Sequence, residues 1–155
     1  MDGYRQHALE GASAVELVVA LYDGILRFLH EAVAAVERGD VDGRRQAVKR
    51  ALDIIIHLQA RLRMDVGGRP AESLSEFYAA TFAQILQASQ AASKRKFEHA
   101  IECVQTVRDA WREVAKDPNA TPAPLGAMSI PAHTGPEADL PRSEMEAETV
   151  SSWTA

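Results

Sequence analysis

At 155 residues the chain has the length of about one domain. Its 46% hydrophobic and 25% charged content, rich in Ala, Leu, Glu, Arg and Gln, excludes a fibrous or wholly disordered protein and favours a helical core. The net charge of -5 lies entirely beyond residue 116, because the sixteen basic and sixteen acidic residues before that point cancel, so the body has no electrostatic case for nucleic-acid binding.

The first residues, MDGYRQHALE, lack the basic-then-apolar pattern of a secretory signal, and no apolar run reaches the roughly 18 residues of a membrane span. A cytoplasmic protein without membrane insertion is expected. Ser13-Ala14-Val15-Glu16 has the spacing of a capping box, in which the Ser hydroxyl accepts from the third amide and the Glu reaches back. It predicts a first helix from about Ala14 to Arg38, stopped by Gly39. Residues 1–12 then form a short N-terminal segment ahead of a helical domain at 13–116.

Asp40 or Asp42 can cap a second helix, from about Asp42 to Met64, which Gly67-Gly68 ends. Pro70 opens a third in its first turn, running to Ala92. Ser93 caps a fourth, Lys94 to Lys116, and Pro118 terminates it; the lone Cys103 falls inside it as a small half-buried apolar residue and precludes an intrachain disulfide. Four helices of similar length with short links predict an all-α, antiparallel up-down four-helix bundle. Residues 117–155 hold six of the seven prolines and set six acids against the single Arg142. That composition has no means of building a core and reads as a disordered acidic tail.

The first helix is unusually apolar: ten of the fourteen residues from Glu16 to Leu29 are hydrophobic. Leu17, Leu21, Ile25, Phe28, Ala32 and Val36 form one row, and Val18, Tyr22, Leu26, Leu29 and Val33 a second beside it. Either this helix is central and touches several neighbours, or the second row lines a groove kept for an apolar partner helix. In the second helix Ile54, Ile55 and Ile56 fan across about 200° and cannot all face one core. The same helix carries Arg44, Arg45, Lys49, Arg50, Arg61 and Arg63 against Asp53 alone, a solvated face or a patch for an acidic partner such as the chain's own tail.

No His has a Glu three residues before it, which excludes the inward Glu-x-x-His pairs of a di-metal bundle. Phosphate-loop, dinucleotide and nucleophile-elbow motifs are also missing, so no catalysis, metal or cofactor is expected. An alternative is a regulatory bundle that binds another protein or RNA through the basic face of the second helix, although no aromatic residue interleaves that cluster for base stacking.

The run Glu16-Leu17-x-x-x-Leu21-Tyr22-Asp23-Gly24-x-Leu26-Arg27-Phe28-Leu29 resembles the signature of the flagellar secretion chaperone family FliS. Tyr4 and Ala12-Ser13 are similar to that family's lead into its first helix, with Ala14 where a Pro is usual. Further similar pieces follow in order: Arg50-Ala51-x-x-Ile54-Ile55-x-x-Leu58, Leu74-x-x-Phe77-Tyr78, Ile85-Leu86-x-Ala88 and Val107-Arg108-Asp109-Ala110-Trp111, so the match covers residues 4–115. The resemblance implies a cytoplasmic bundle that holds the C-terminal segment of flagellin away from other subunits and brings it to a component of the flagellar export apparatus. It implies a flagellin groove drawn from Tyr4, Leu9, Leu17, Val18, Leu21, Tyr22, Ile25, Leu29, Ile54, Ile55, Ile56, Leu58 and Leu62, of which the second-helix members are jointly core and groove. The N-terminal segment around Tyr4 would cover that groove or move with the client, and an uncovered groove would allow a weak homodimer. Trp111, with Val104, Val107 and Val114, is expected in the core, and Asp23 beside Arg27 at the next turn.

Overall fold

Four helices follow one another in the chain: α1 (Asp2–Arg38), α2 (Val41–Ala60), α3 (Gly68–Gln90) and α4 (Lys94–Lys116). The structure, a computed structural model, describes the backbone of residues 2–65 and 67–116 and the side chains of 14–65 and 67–116. The expectations for the side chains of Tyr4 and Leu9 and for the tail at 117–155 lie outside the described residues. α1 packs along α2 and α4, and α3 along the same two, so α1 faces α3 and α2 faces α4 across the diagonals of an antiparallel up-down bundle.

Local chemistry sets the turns. Gly39 takes a φ of +67° after α1, and the amides of Gly39 and Asp40 donate to the carbonyls of Val36 and Ala35, the paired bonds of a glycine-stopped helix. Asp40 then caps α2, its Oδ1 accepting from the Gly43 amide at 2.9 Å. α2 ends four residues before the expected Met64, where Arg61 and Leu62 donate to carbonyls only three residues back and tighten the last turn. Gly67 precedes α3, and a Cβ there would lie 2.5 Å from both the Ala71 Cβ and the Arg63 carbonyl, so no other residue fits without movement.

At the end of α3 the same stop recurs without a glycine. Ala92 sits at φ +45°, while Ala92 and Ser93 donate to the Ser89 and Ala88 carbonyls. Ser93 caps α4 through its Oγ, which accepts from the Lys96 amide, and α4 has the bounds expected from the sequence.

α1 differs from expectation at its start. Ser13 lies inside the helix, which begins at Asp2. A capping residue needs a non-helical backbone, and the helix-favouring run Gln6 to Glu10, which includes Ala8, Leu9 and Glu10, lets the helix continue through Ser13 instead.

The core is built from residues on the facing stripes of all four helices, including Ile25, Leu29, Ile55, Leu58, Ile85, Phe97 and Val104. α1 and α2 approach through small residues: Ala32, Ala35, Ala47 and Ala51 are buried, and Gly24 presses on Ile54, whose Cδ1 would stand 3.0 Å from an added Cβ. Cys103 is half-buried, and burial followed by the charge of Glu102 pushes its thiol pKa up, which keeps it protonated and unreactive.

Two tyrosines cross the centre. The Tyr22 and Tyr78 hydroxyls share a 2.8 Å hydrogen bond with both rings buried, joining α1 to α3 across the diagonal. Burial, with the neighbouring Tyr78 adding to it, raises the Tyr22 phenol well above its ordinary value, and the nearby Trp111 indole opposes the rise slightly. Burial likewise pushes Tyr78 up to about 12. Trp111 is half-buried beside them, and its Nε1 is enclosed without a hydrogen-bond acceptor in good geometry.

Two outcomes follow from this packing. Ala92→Gly relieves the left-handed alanine and raises stability by about 0.5 to 1 kcal/mol in urea denaturation. Tyr22→Phe leaves the Tyr78 hydroxyl buried and unpaired and lowers stability by about 1 to 3 kcal/mol. Because the folded phenols hold their protons above the unfolded pKa of about 10, the stability they contribute is complete below that pH and is lost as pH rises through about 12. Thermal melts of the native protein should show that alkaline loss, and those of the Tyr22→Phe, Tyr78→Phe double variant a shallower one.

Candidate functional site

The helical register determines which of the expected groove residues meet. Gly24 lies against Ile54, and the Arg50 guanidinium stands 5.7 Å over the Phe28 ring, which also carries Arg27 at 4.7 Å. Since α1 and α2 are antiparallel, Leu21 falls level with the turn of Leu58, and Leu17 level with Leu62 just beyond α2.

Leu17 is 44% exposed. Leu21, Ile54 and Leu62 are half-buried and pack against the core with part of each side chain open. Together they make an apolar seam between α1 and α2 near the α2–α3 loop. At that end α1, about 55 Å long, outruns its neighbours of about 30 to 35 Å. On the other flank of α1, Glu16, Val19, Arg112, Ala115 and Lys116 line a cleft of about 350 Å³ between α1 and α4.

Other expected groove residues are enclosed. Tyr22, Ile25, Leu29, Ile55 and Leu58 lie in the core, and a side chain without exposed area has none to offer a partner. In this structure Tyr22, Ile25 and Leu29 of α1 and Ile55 and Leu58 of α2 point toward the bundle axis and are shared with the core instead of standing open at a groove. Val18, half-buried, packs against the same core. Trp111 and Val114 are half-buried and Val104 and Val107 fully buried.

Ile56 lies on the opposite side of α2. It is 54% exposed and faces the edge shared with α3. There Gln59 Nε2 donates to Ser75 Oγ at 2.7 Å, which aligns the row Leu52, Ile56, Gln59 with the row Ser75, Phe82, Leu86. Leu86 is 38% exposed, with Leu52 and Phe82 half-buried between. Phe82 and Leu86 were not assigned from the sequence; their four-residue spacing, matched by Leu52 and Ile56, was the available signal.

The charged groups are also redistributed. Asp23 pairs with Arg108 of α4 at 3.0 Å, with Arg112 at 3.9 Å, and not with Arg27, whose guanidinium is turned onto Phe28. Arg108 is 19% exposed and donates to Asp109 as well, so it clamps α4 to α1. The basic residues of α2 and of the turn after it do not form one face. Arg44 turns inward with its Nε buried and unpaired, Arg50 covers Phe28 on the α1 side, Arg63 pairs with Asp65, and Arg45 and Lys49 project on the α3 side.

Among the described residues, no helix is long and apolar enough to cross a membrane. The fold and its surface define an up-down four-helix bundle that leaves apolar seams open along α2. Residues 1–118 match the family described as Flagellar protein FliS. Relatives named flagellar secretion chaperone FliS are 30% identical over 119 residues in Vibrio cholerae, covering 76% of this chain and 88% of the relative. In Campylobacter jejuni the identity is 31% over 113 residues, 73% of this chain and 88% of the relative. The Salmonella typhimurium relative is 30% identical over 111 residues, 71% of this chain and 82% of its own length. The chain belongs to the FliS family of flagellar secretion chaperones.

The partition between core and seam has a direct check. Ile55→Asp buries an unpaired carboxylate and costs about 4 kcal/mol or more. Its helical circular dichroism should collapse at temperatures where Leu17→Asp, altered at an exposed position, melts within a few degrees of the native protein.

Proposed function

We propose that this protein is a cytoplasmic, non-enzymatic export chaperone whose client is the C-terminal helical segment of a flagellin, docked on the α1–α2 seam. The observation that carries the reading is the exposed Leu17 beside the partly open Leu21, Ile54 and Leu62. Membership of the FliS family, and the name flagellar secretion chaperone borne by its relatives, point to a flagellar client.

The physics of the client favours such a seam. A filament subunit polymerises by burying apolar helical faces, so a protein that holds it back must present an equivalent face first. Each anchor side chain contributes about 1.5 to 3 kcal/mol gross on burial. Ordering the client costs about 2 to 5 kcal/mol or more. One leucine is therefore insufficient, and a row of several anchors along a helix pair is needed. In this proposal Tyr4 and Leu9, which a continuous α1 carries beyond Leu17, move with the client instead of covering the seam. A chain without a client pairs weakly with a second copy through the open seam. Holding the flagellin terminus in this way keeps it from premature polymerisation until it reaches the flagellar export apparatus.

Calorimetric titration with a flagellin C-terminal peptide tests the assignment. The native protein binds, Leu17→Asp combined with Leu21→Ala weakens binding by about tenfold or more, and Ile56→Asp, on the other side of α2, leaves it unchanged. Native-like binding by the Leu17, Leu21 variant would remove the α1–α2 seam as the site. No binding by the native protein would remove flagellin as the client.

A further inference from the structure

We propose that the α2–α3 seam is the docking surface of this chain's own acidic C-terminal segment, residues 137–153. The surface combines two chemistries in one row. Arg45, Lys49, Leu52 and Ile56 recur on α2 at helical spacings of four, three and four residues, so their side chains line one edge, basic at one end and apolar at the other. In the register held by the Gln59 to Ser75 hydrogen bond, Phe82 on α3 comes level with Leu52 and Leu86 level with Lys49, so apolar side chains of α3 border both parts of the row.

Arg45 and Lys49 are exposed, and neither is within ion-pair distance of a carboxylate among the described residues; Asp53, one turn on from Lys49, is not close enough. Ile56, at 54%, is the most exposed large hydrophobic residue among those described. An occupant of this seam therefore needs carboxylates interleaved with apolar side chains.

The chain supplies such a segment. Residues 137–153 contain Glu137, Asp139, Glu144, Glu146 and Glu148 against Arg142 alone, with Leu140, Met145, Val150 and Trp153 among them. The body up to residue 116 is neutral, so this segment carries nearly all of the protein's excess charge. Distance is no obstacle. The 28 residues from Lys116 to Glu144 span up to about 90 Å when extended, three times the length of α2, which is about 30 Å. Tethering also removes the need for high affinity, because a linked segment faces its site at an effective concentration on the order of millimolar. The contact is partly ionic and weakens with salt. It lies on the far side of α2 from the α1–α2 seam, so it stands independently of the flagellin assignment.

Paramagnetic broadening in the full chain tests the proposal. A nitroxide is placed on α2 by Asp53→Cys in a Cys103→Ser background, and in a second sample on α4, across the diagonal, by Glu102→Cys. With the label at 53, the amide signals of residues 137–153 should fall below half of their intensity in the reduced sample. With the label at 102 they should keep more than four-fifths. Adding Lys49→Glu and Ile56→Ser, both exposed positions, to the first sample should restore the signals. Full intensity with the label at 53, or equal broadening from both labels, overturns the docking surface. Broadening that appears only between labelled and unlabelled chains in a mixture overturns the intrachain occupant in favour of a second copy.

Discussion

The Tyr22 to Tyr78 hydrogen bond is the contact on which the bundle depends most directly. Two phenols carried into the centre of an apolar core must satisfy each other, because either one left alone would be buried without a partner. Their bond spans one of the two diagonals that direct helix packing does not hold, between α1 and α3. It therefore fixes how far apart those two helices stand and at what level along the axis. Ile25, Leu29, Ile55, Leu58, Ile85 and Phe97 fill the rest of that interior.

A closed centre moves any binding capacity to the edges. Apolar side chains that find no room inside appear along the seams of α2: Leu17, Leu21, Ile54 and Leu62 on the α1 side, Leu52, Ile56, Phe82 and Leu86 on the α3 side. α2 is thus the helix with surplus on both flanks, as the fan of three consecutive isoleucines requires. One of them enters the core, and each neighbour emerges on a different edge. The two seams lie on opposite flanks of α2, and cations border both: Arg27 and Arg50 over Phe28 on the α1 side, Arg45 and Lys49 on the α3 side.

The ionic groups act at the margins. Asp23 and Arg108 tie α1 to α4 along the edge opposite the α1–α2 seam, while Lys94 and Glu37 meet at 2.7 Å on the exposed end of the same helix pair. Lys94 raises no barrier to solvent and Glu37 none either, so salt screens that bridge readily. Arg108, more enclosed, is the stronger clamp, and it holds α4 where Trp111 can cover the tyrosine pair.

Local sequence chemistry determined the helices and their turns. Gly39, Asp40 and Ser93 mark positions where backbone geometry or a capping oxygen decides the outcome within four residues, and the starts of α2 and α4 were legible for that reason. The ordered motifs from Glu16 to Trp111 also carried the family, since residue identity survives without knowledge of the packing. Where a signal competed with helix propensity, as Ser13 did with the run before it, local reading failed. Which of Tyr22, Ile25, Leu29, Ile55 and Leu58 were core, and that Ile56 would share an edge with Leu86, was decided only in the tertiary structure. Helical periodicity states that a residue faces inward or outward from its own axis. It contains no information on which neighbour arrives there, and burial is a property of the neighbour's arrival.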